Sequence, residues 1–219
     1  MYPLVSCLMP TYNRREFIPR ALRNFASQTY PDLELIVVDD GSDLIADLIP
    51  RDDLRISYFW SDQKANHGEK MNIAAGFADG DYCCVWDDDD CYAPDRVSRQ
   101  ITPLVGTEKI VSGTSSLYYY KHGGQQAYIY DYPTQPAPWI GAIAFRRDYW
   151  EHNEFDDLRS GADFTWLKKI QYDQRVDLHD PSLLVCAIHD TNAAPKPIGT
   201  YIKPIEWFRL PEWFRNAAL

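Results

Sequence analysis

Asp87, Asp88, Asp89 and Asp90 follow one another without interruption. Adjacent carboxylates repel, so a folded site keeps them ionised only beside a compensating charge. An all-oxygen donor set suits a hard cation, Mg2+ or Mn2+, of the kind that also binds substrate phosphates. A solvated acidic turn is the plain alternative for a charge run. Here the run directly follows the apolar stretch Tyr-Cys-Cys-Val-Trp at 82–86, and metal binding is the better reading. A second acidic pair, in Asp39-Asp40-Gly41-Ser42, also ends an apolar run, although Asp-Gly alone is equally an ordinary turn. A third run ends in Pro10-Thr11-Tyr12-Asn13, which adds an aromatic face and hydrogen-bonding groups.

Whether these clusters meet depends on the elements that carry them. Apolar runs at 5–9, 33–38, 55–60 and 82–86 alternate with helical segments at 18–28, 69–78 and 95–105. That alternation predicts a mostly parallel α/β sheet flanked by helices. Ile18, Leu22 and Phe25 share one helical face, and Pro19 falls in a first turn, where its missing N–H costs little. The 33–38 run is apolar on both faces, as a buried parallel strand requires. Gly80 is expected to close the 69–78 helix. Open parallel sheets bind ligands at the carboxyl ends of their strands, so the three clusters should share one edge. Beyond residue 108 the pattern changes. Runs at 110–113, 117–120 and 127–130 around Gly123-Gly124 predict a smaller antiparallel ribbon, followed by a strand at 140–145, a helix at 162–171 and a strand at 183–187.

The chain of 219 residues fits one domain, here 1–202 with an aromatic tail at 203–219. The change of pattern near residue 108 divides this domain into halves at 1–107 and 108–202. A net charge of −10 argues against a broad nucleic-acid surface without excluding a local basic groove. Cys7, Cys83, Cys84, Cys91 and Cys186 show no paired metal spacing, and the apolar context of most of them predicts reduced structural thiols. No apolar run reaches the roughly 18 residues of a membrane span, and the start lacks signal-peptide character; a cytoplasmic location is expected.

In order and spacing, residues 4–100 resemble family 2 glycosyltransferases of GT-A fold, a Rossmann-like nucleotide-sugar-binding architecture. The resemblance is carried by Val5-Ser6-Cys7-Leu8-Met9-Pro10-Thr11-Tyr12-Asn13-Arg14, by the 35–42 block ending in Asp39-Asp40-Gly41-Ser42, and by Asn66-His67-Gly68-Glu69-Lys70. The 87–90 run followed by Pro94 is similar to the family's DXD motif. The resemblance implies that Tyr12 flanks the nucleotide base while the Pro10-Thr11 backbone holds its edge. It implies that Asp40, with Asp39 beside it, contacts the base, uracil by preference, and that Lys70 lies near base or diphosphate. It implies that Asp87 sits near the ribose and metal, with Asp88 also at the donor nucleotide, and that Asp89 ligates the metal directly. More weakly, Trp139 to Arg147 resembles the strand beside the acceptor. The 161–166 block resembles the one carrying the catalytic Asp of inverting members, but Ala162 stands where that block usually has Glu. Asp163 is thereby nominated as general base; a plain helix-start carboxylate is the alternative. His189, before Asp190-Thr191-Asn192, matches a position near metal or diphosphate, whereas His67, His122, His152 and His179 have no comparable context.

The implied activity is metal-dependent, inverting transfer of a sugar from a nucleotide diphosphate donor, probed first with UDP-sugars, to a hydroxyl acceptor. A nucleotidyltransferase would need a glycine-rich loop after the first strand, and Pro10-Thr11-Tyr12-Asn13-Arg14 has no glycine. A catalytically inactive nucleotide-sugar or glycan-binding module is the alternative that Ala162 leaves open. The acceptor is a glycan, a lipid-linked sugar or another hydroxyl; a hydroxylated DNA base is disfavoured by the acidic charge. Tyr118, Tyr119, Tyr120, Tyr128, Tyr130, Tyr132 and Trp139 either face such an acceptor or are ordinary sheet residues. Trp207, Phe208, Trp213 and Phe214 are expected to dock on the chain's own core or on a second copy in a homodimer.

Overall fold

A computed structural model describes residues 2–131, 140–194, 196, 198, 199 and 201–217. Tyr132 and Trp139, two of the aromatics considered for the acceptor, lie outside the described residues. The first strand, β1 (Val5–Thr11), is buried along its whole length. Helix α1 (Ile18–Ala26) follows, turning Ile18, Ala21, Leu22 and Phe25 inward, with Pro19 in its first turn. Strands β2 (Leu33–Asp39) and β3 (Ile56–Trp60), helix α2 (His67–Gly76) and strand β4 (Tyr82–Val85) complete the first half. Helix α2 ends at Gly76 with Phe77 as its C-cap, so Gly80 does not close it. Instead Gly80 fits a tight passage, where an added Cβ would meet Ser6 Oγ at 2.6 Å.

The short strand β5 (Cys91–Tyr92) leads into α3 (Arg96–Ile101), half the length its periodicity suggested. Next come β6 (Val111–Thr114), β7 (Ser116–Lys121), β8 (Ala127–Asp131) and β9 (Gly141–Arg146). Helices α4 (Arg147–Trp150) and α5 (Ala162–Leu167), then β10 (Arg175–Asp177), β11 (Leu184–Ile188), β12 (Ile202–Ile205) and α6 (Glu212–Ala217), end the chain.

The strands form two sheets. The larger runs β10-β6-β9-β4-β1-β2-β3, and all its neighbouring pairs are parallel except the two made by β9. The smaller runs β12-β8-β7-β11-β5. This is the mostly parallel α/β architecture expected. The antiparallel ribbon is narrower than expected: β7 and β8 pair as a hairpin, but β6 belongs to the large sheet beside β9. Its Val111 is fully buried against Phe145, and an apolar strand there completes a core face that a ribbon would leave in water.

Two apolar layers cover the large sheet. On one side Phe25, Trp86, Tyr92 and Leu184 join helix α1 to the small sheet. On the other, Met71, Phe145, Phe155 and Trp166 join α2 to α5. Leu210 and Phe214, from the aromatic end of the chain, pack with Tyr120 and Val185 of the small sheet. All five cysteines are free and buried. No helix is long and apolar enough to cross a membrane among the described residues.

Candidate active site

Strands β1, β2 and β4 are adjacent and parallel, with Thr11 opposite Asp39 and Leu8 opposite Val85. Their carboxyl ends therefore deliver 10–13, 39–42 and 87–90 to one edge. Two neighbouring cavities open there. A cleft of about 660 Å³ is lined by Pro10, Thr11, Tyr12, Asp40, Lys70 and Asp88, among others. A smaller chamber of about 200 Å³ is lined by Asp87, Asp88, Asp89, Asp90 and Asp163, among others. Pro10, Arg14, His67, Asp88 and Arg159 border both.

In the cleft, Lys70 is buried and donates to Asp40 Oδ1 at 2.6 Å and to the Thr11 carbonyl at 2.9 Å. The other Asp40 oxygen accepts from the Ala65 N–H at 2.8 Å. Both charges are thus matched where they are buried beside the cleft, and removing either partner would strand the other. Tyr12 is partly exposed, with Lys64 Nζ 4.0 Å from its ring centre. Asn13 adopts φ 50°, and Gly41 passes so close that an added Cβ would meet the Asn13 nitrogen at 2.7 Å. Asp39 lines neither cavity. Its carboxylate accepts from the Gly41 N–H at 2.8 Å and the Tyr58 hydroxyl at 2.9 Å, and burial pushes its pKa up.

The four aspartates separate into different environments. Asp87 lines the chamber, and its turn is held by Tyr92, whose hydroxyl accepts from the Asp87 N–H at 2.7 Å. Burial, with Asp89 nearby, raises the Asp87 pKa. Asp88 is buried, accepting from Thr11 Oγ1 at 2.6 Å and Arg14 Nη1 at 2.8 Å, and burial pushes it up to about 6 against the pull of Arg14. Asp89 Oδ2 meets Arg14 Nη1 at 2.6 Å and His189 Nε2 at 3.0 Å. Burial opposes ionisation of Asp89, but the His189 hydrogen bond and Arg14 outweigh it and its pKa falls. Asp90 turns away and accepts the Ala187 N–H of β11 at 2.9 Å; burial and its acidic neighbours push it up to about 8. A run of four carboxylates thus avoids full mutual repulsion by burying two in hydrogen bonds to other elements, not only by facing a cation.

Asp163 begins α5 after Gly161, whose φ of 75° puts it in the left-handed region. Ala162, at the position that resembles a Glu, is buried among Phe155 and Trp166 and lines the chamber. His189 lines neither cavity; its Nδ1 lies 2.8 Å from Thr191 Oγ1, which aims Nε2 at Asp89. Among the described residues, no three His, Cys, Asp or Glu side chains are grouped to hold a metal ion. Asp89 and His189 offer one oxygen and one nitrogen donor at 3.0 Å separation. That set fits a cation which takes its remaining ligands from phosphate and water.

Several basic residues at the site carry no role in the sequence reading. Arg14 bridges Asp88 and Asp89 and donates to the Thr191 carbonyl at 2.6 Å. Its signal was available, since it ends the Pro-Thr-Tyr-Asn-Arg string. His67 likewise stands in the Asn66–Lys70 string, and the start of α2 places it at the border of both cavities. Lys196 and Arg159 reach the chamber from loops, where no periodicity marks a residue's direction.

The family model for glycosyl transferase family 2 matches residues 6–168. The chain belongs to that family. Among curated relatives, a Haemophilus influenzae uncharacterized glycosyltransferase is 29% identical over 115 residues, covering 50% of this chain and 46% of the relative. An uncharacterized glycosyltransferase of Rickettsia typhi is 30% identical over 131 residues, covering 54% and 41%. The chain thus spans less than half the length of these relatives. Among solved structures, the mannosyltransferase PcManGT of Pyrobaculum calidifontis, in complex with GDP-Man and Mn2+, superposes with a TM-score of 0.67 at 21% identity, over 92% of this chain and 59% of that one. S. aureus TarS 1–349, in complex with UDP-GlcNAc, gives 0.69 at 17% identity, over 87% and 60%. At these identities the likeness is one of fold, the GT-A fold.

Proposed function

We propose that the protein transfers a sugar from a nucleotide diphosphate donor, a UDP-sugar, to an acceptor hydroxyl with inversion at the anomeric carbon. The observation that carries this reading is the continuity of the two cavities. The cleft that holds the Asp40–Lys70 pair shares Asp88 with a chamber lined by both Asp89 and Asp163. A base would lie against Tyr12 and within reach of Asp40, the diphosphate would pass Asp87 and Asp88, and the sugar would enter the chamber. Asp163 then takes the proton of the acceptor hydroxyl as it attacks the anomeric carbon, a role typically contributing about 10²–10⁴-fold. Arg14, poised beside Asp88 and Asp89, and Arg159, at the border of the cavities, supply positive charge to the phosphates. Most of the remaining catalysis is positioning by Tyr12, Asp40 and Lys70.

Asp89 and His189 would hold the divalent cation, with Asp87 beside it; when bound, the ion neutralises charge developing on the leaving diphosphate. The imidazole nitrogen in that pair favours Mn2+ over Mg2+, which takes oxygen donors. The aromatic side chains of the small sheet support an acceptor role less well, since Tyr119 and Tyr120 are buried in the core. The acceptor instead reaches the chamber past Arg159, Ser160 and Gly161, which line it and are exposed.

The test is release of UDP from a panel of UDP-sugars with Mn2+ and mixed glycan acceptors. Turnover by the wild type, lost in Asp163→Asn, supports the assignment. Binding of the donors without any turnover favours an inactive binding module.

A further inference from the structure

A third cavity, of about 670 Å³, lies apart from the donor cleft, between helix α1 and the aromatic end of the chain. Its volume is that of a small-ligand site. One wall is aromatic: Tyr120, Trp207, Trp213 and Phe214. The rings form a continuous cluster, with Phe214 4.9 Å from Tyr120, 5.8 Å from Trp207 and 6.1 Å from Trp213 between centroids. The facing wall is the outer face of α1, where Arg20, Arg23 and Asn24 project at helical spacing. A third side is the hairpin turn carrying Gln125.

These walls present donors that a polar ligand could use. Arg20 donates to the Tyr120 hydroxyl and, at 2.5 Å, to the Asp89 carbonyl, yet its Nε is buried with no partner. Among the described residues, neither the Arg23 guanidinium nor the Trp207 indole N–H has a hydrogen-bond partner, and no carboxylate pairs with either arginine. Arg20 and Arg23 bring two guanidiniums with no acidic partner among the described residues to one cavity. An indole face packs against the C–H face of a sugar ring, while its N–H and the side-chain amides take hydroxyls. The planar guanidinium fork matches a carboxylate.

We propose that this pocket is a second saccharide-binding site, separate from the donor cleft, that accepts sugar rings bearing a carboxylate. The uronate ring lies on Trp207, and its carboxylate meets Arg23. The site stands on its own residues and does not depend on the nucleotide assignment.

The test is calorimetric titration of the full chain with a galacturonate hexasaccharide, a mannuronate hexasaccharide and neutral maltohexaose. Each is run in Mn2+ with and without saturating UDP. Saturable binding of at least one uronate is expected, with maltohexaose weaker by about tenfold or more and UDP without effect on it. Arg23→Gln should weaken uronate binding by about tenfold, the loss of one charge-assisted contact, and Trp207→Ala by a similar factor through loss of ring stacking. Arg23 is exposed, so its variant reports even where the tryptophan variant misfolds; Arg20 is spared because it also holds Asp89. The proposal is overturned if neither uronate binds, if maltohexaose binds as well, if Arg23→Gln binds normally, or if UDP displaces the saccharide. Uronate binding alongside failure to bind UDP would sink the donor assignment and leave this site standing.

Discussion

Asp40 and Lys70 are buried together beside the cleft, with side chains 3% and 8% exposed. Such a pair adds little net stability against an apolar substitute, but a lone survivor is costly. Lys70→Met should therefore destabilise the fold by about 3–5 kcal/mol, and Asp40→Asn added to it should recover part of that loss. Urea denaturation of the single and double variants measures both. Asp163 predicts the opposite pattern, because it lies at a helix start on the chamber wall. Asp163→Asn should leave the unfolding midpoint and UDP affinity close to wild type while turnover falls by about 10²–10⁴-fold. Single-turnover assay beside calorimetry separates the two; turnover near the wild-type rate would remove Asp163 as the base. At this scale the sequence exposed residue types well and their directions poorly. Four aspartates in a row looked equivalent, but only the fold shows that Asp90 reaches back to β11 and Asp88 to Thr11.

The elements explain why the strand ends make a site at all. Parallel pairing of β1 with β2 and β4 is legible because each run is apolar on both faces and ends in polar residues. The link between β2 and β3 was not legible: Tyr58 on β3 donates to Asp39 at the end of β2, a contact across 19 residues. Burial raises the Asp39 pKa, so the folded state favours its protonated form. Stability from this group is therefore greatest at low pH and declines as pH rises from the ordinary carboxylate range through the folded value. Tyr58→Phe removes a donor to the charged form and deepens that decline. The variant should cost about 1.5–3 kcal/mol near pH 7 and clearly less near pH 3, where Asp39 is neutral in both states. Equal cost at the two pH values would show that Tyr58 acts by packing alone. Strand β6 was misplaced in the ribbon because a short apolar run carries no mark of which sheet it joins.

Across the whole molecule, the acidic segment joins the two sheets: it follows β4 of the large sheet, which ends at Val85, and leads into β5 of the small one at Cys91. The aromatic end of the chain closes the far side of the small sheet through Leu210 and Phe214. Phe214 is 2% exposed, and its replacement by Ala should cost about 3–5 kcal/mol if the end unfolds with the rest. A lower melting temperature with unchanged UDP affinity is expected, since Phe214 lines neither donor cavity. The GT-A fold and family membership were legible because they rest on ordered strand-end motifs spread over residues 4–100. The aromatic pocket was not, because α1 and the chain end are distant in sequence and neither announces the other.

The claim on which the account turns is that Asp89 anchors a cation that joins the nucleotide to the protein. Calorimetric titration with UDP in Mn2+, and again in EDTA, for wild type and Asp89→Asn, tests it most directly. The account predicts binding in Mn2+ that is lost in EDTA and lost in the variant. Equal UDP binding in all four conditions would contradict it, placing the nucleotide on Tyr12, Asp40 and Lys70 without a metal.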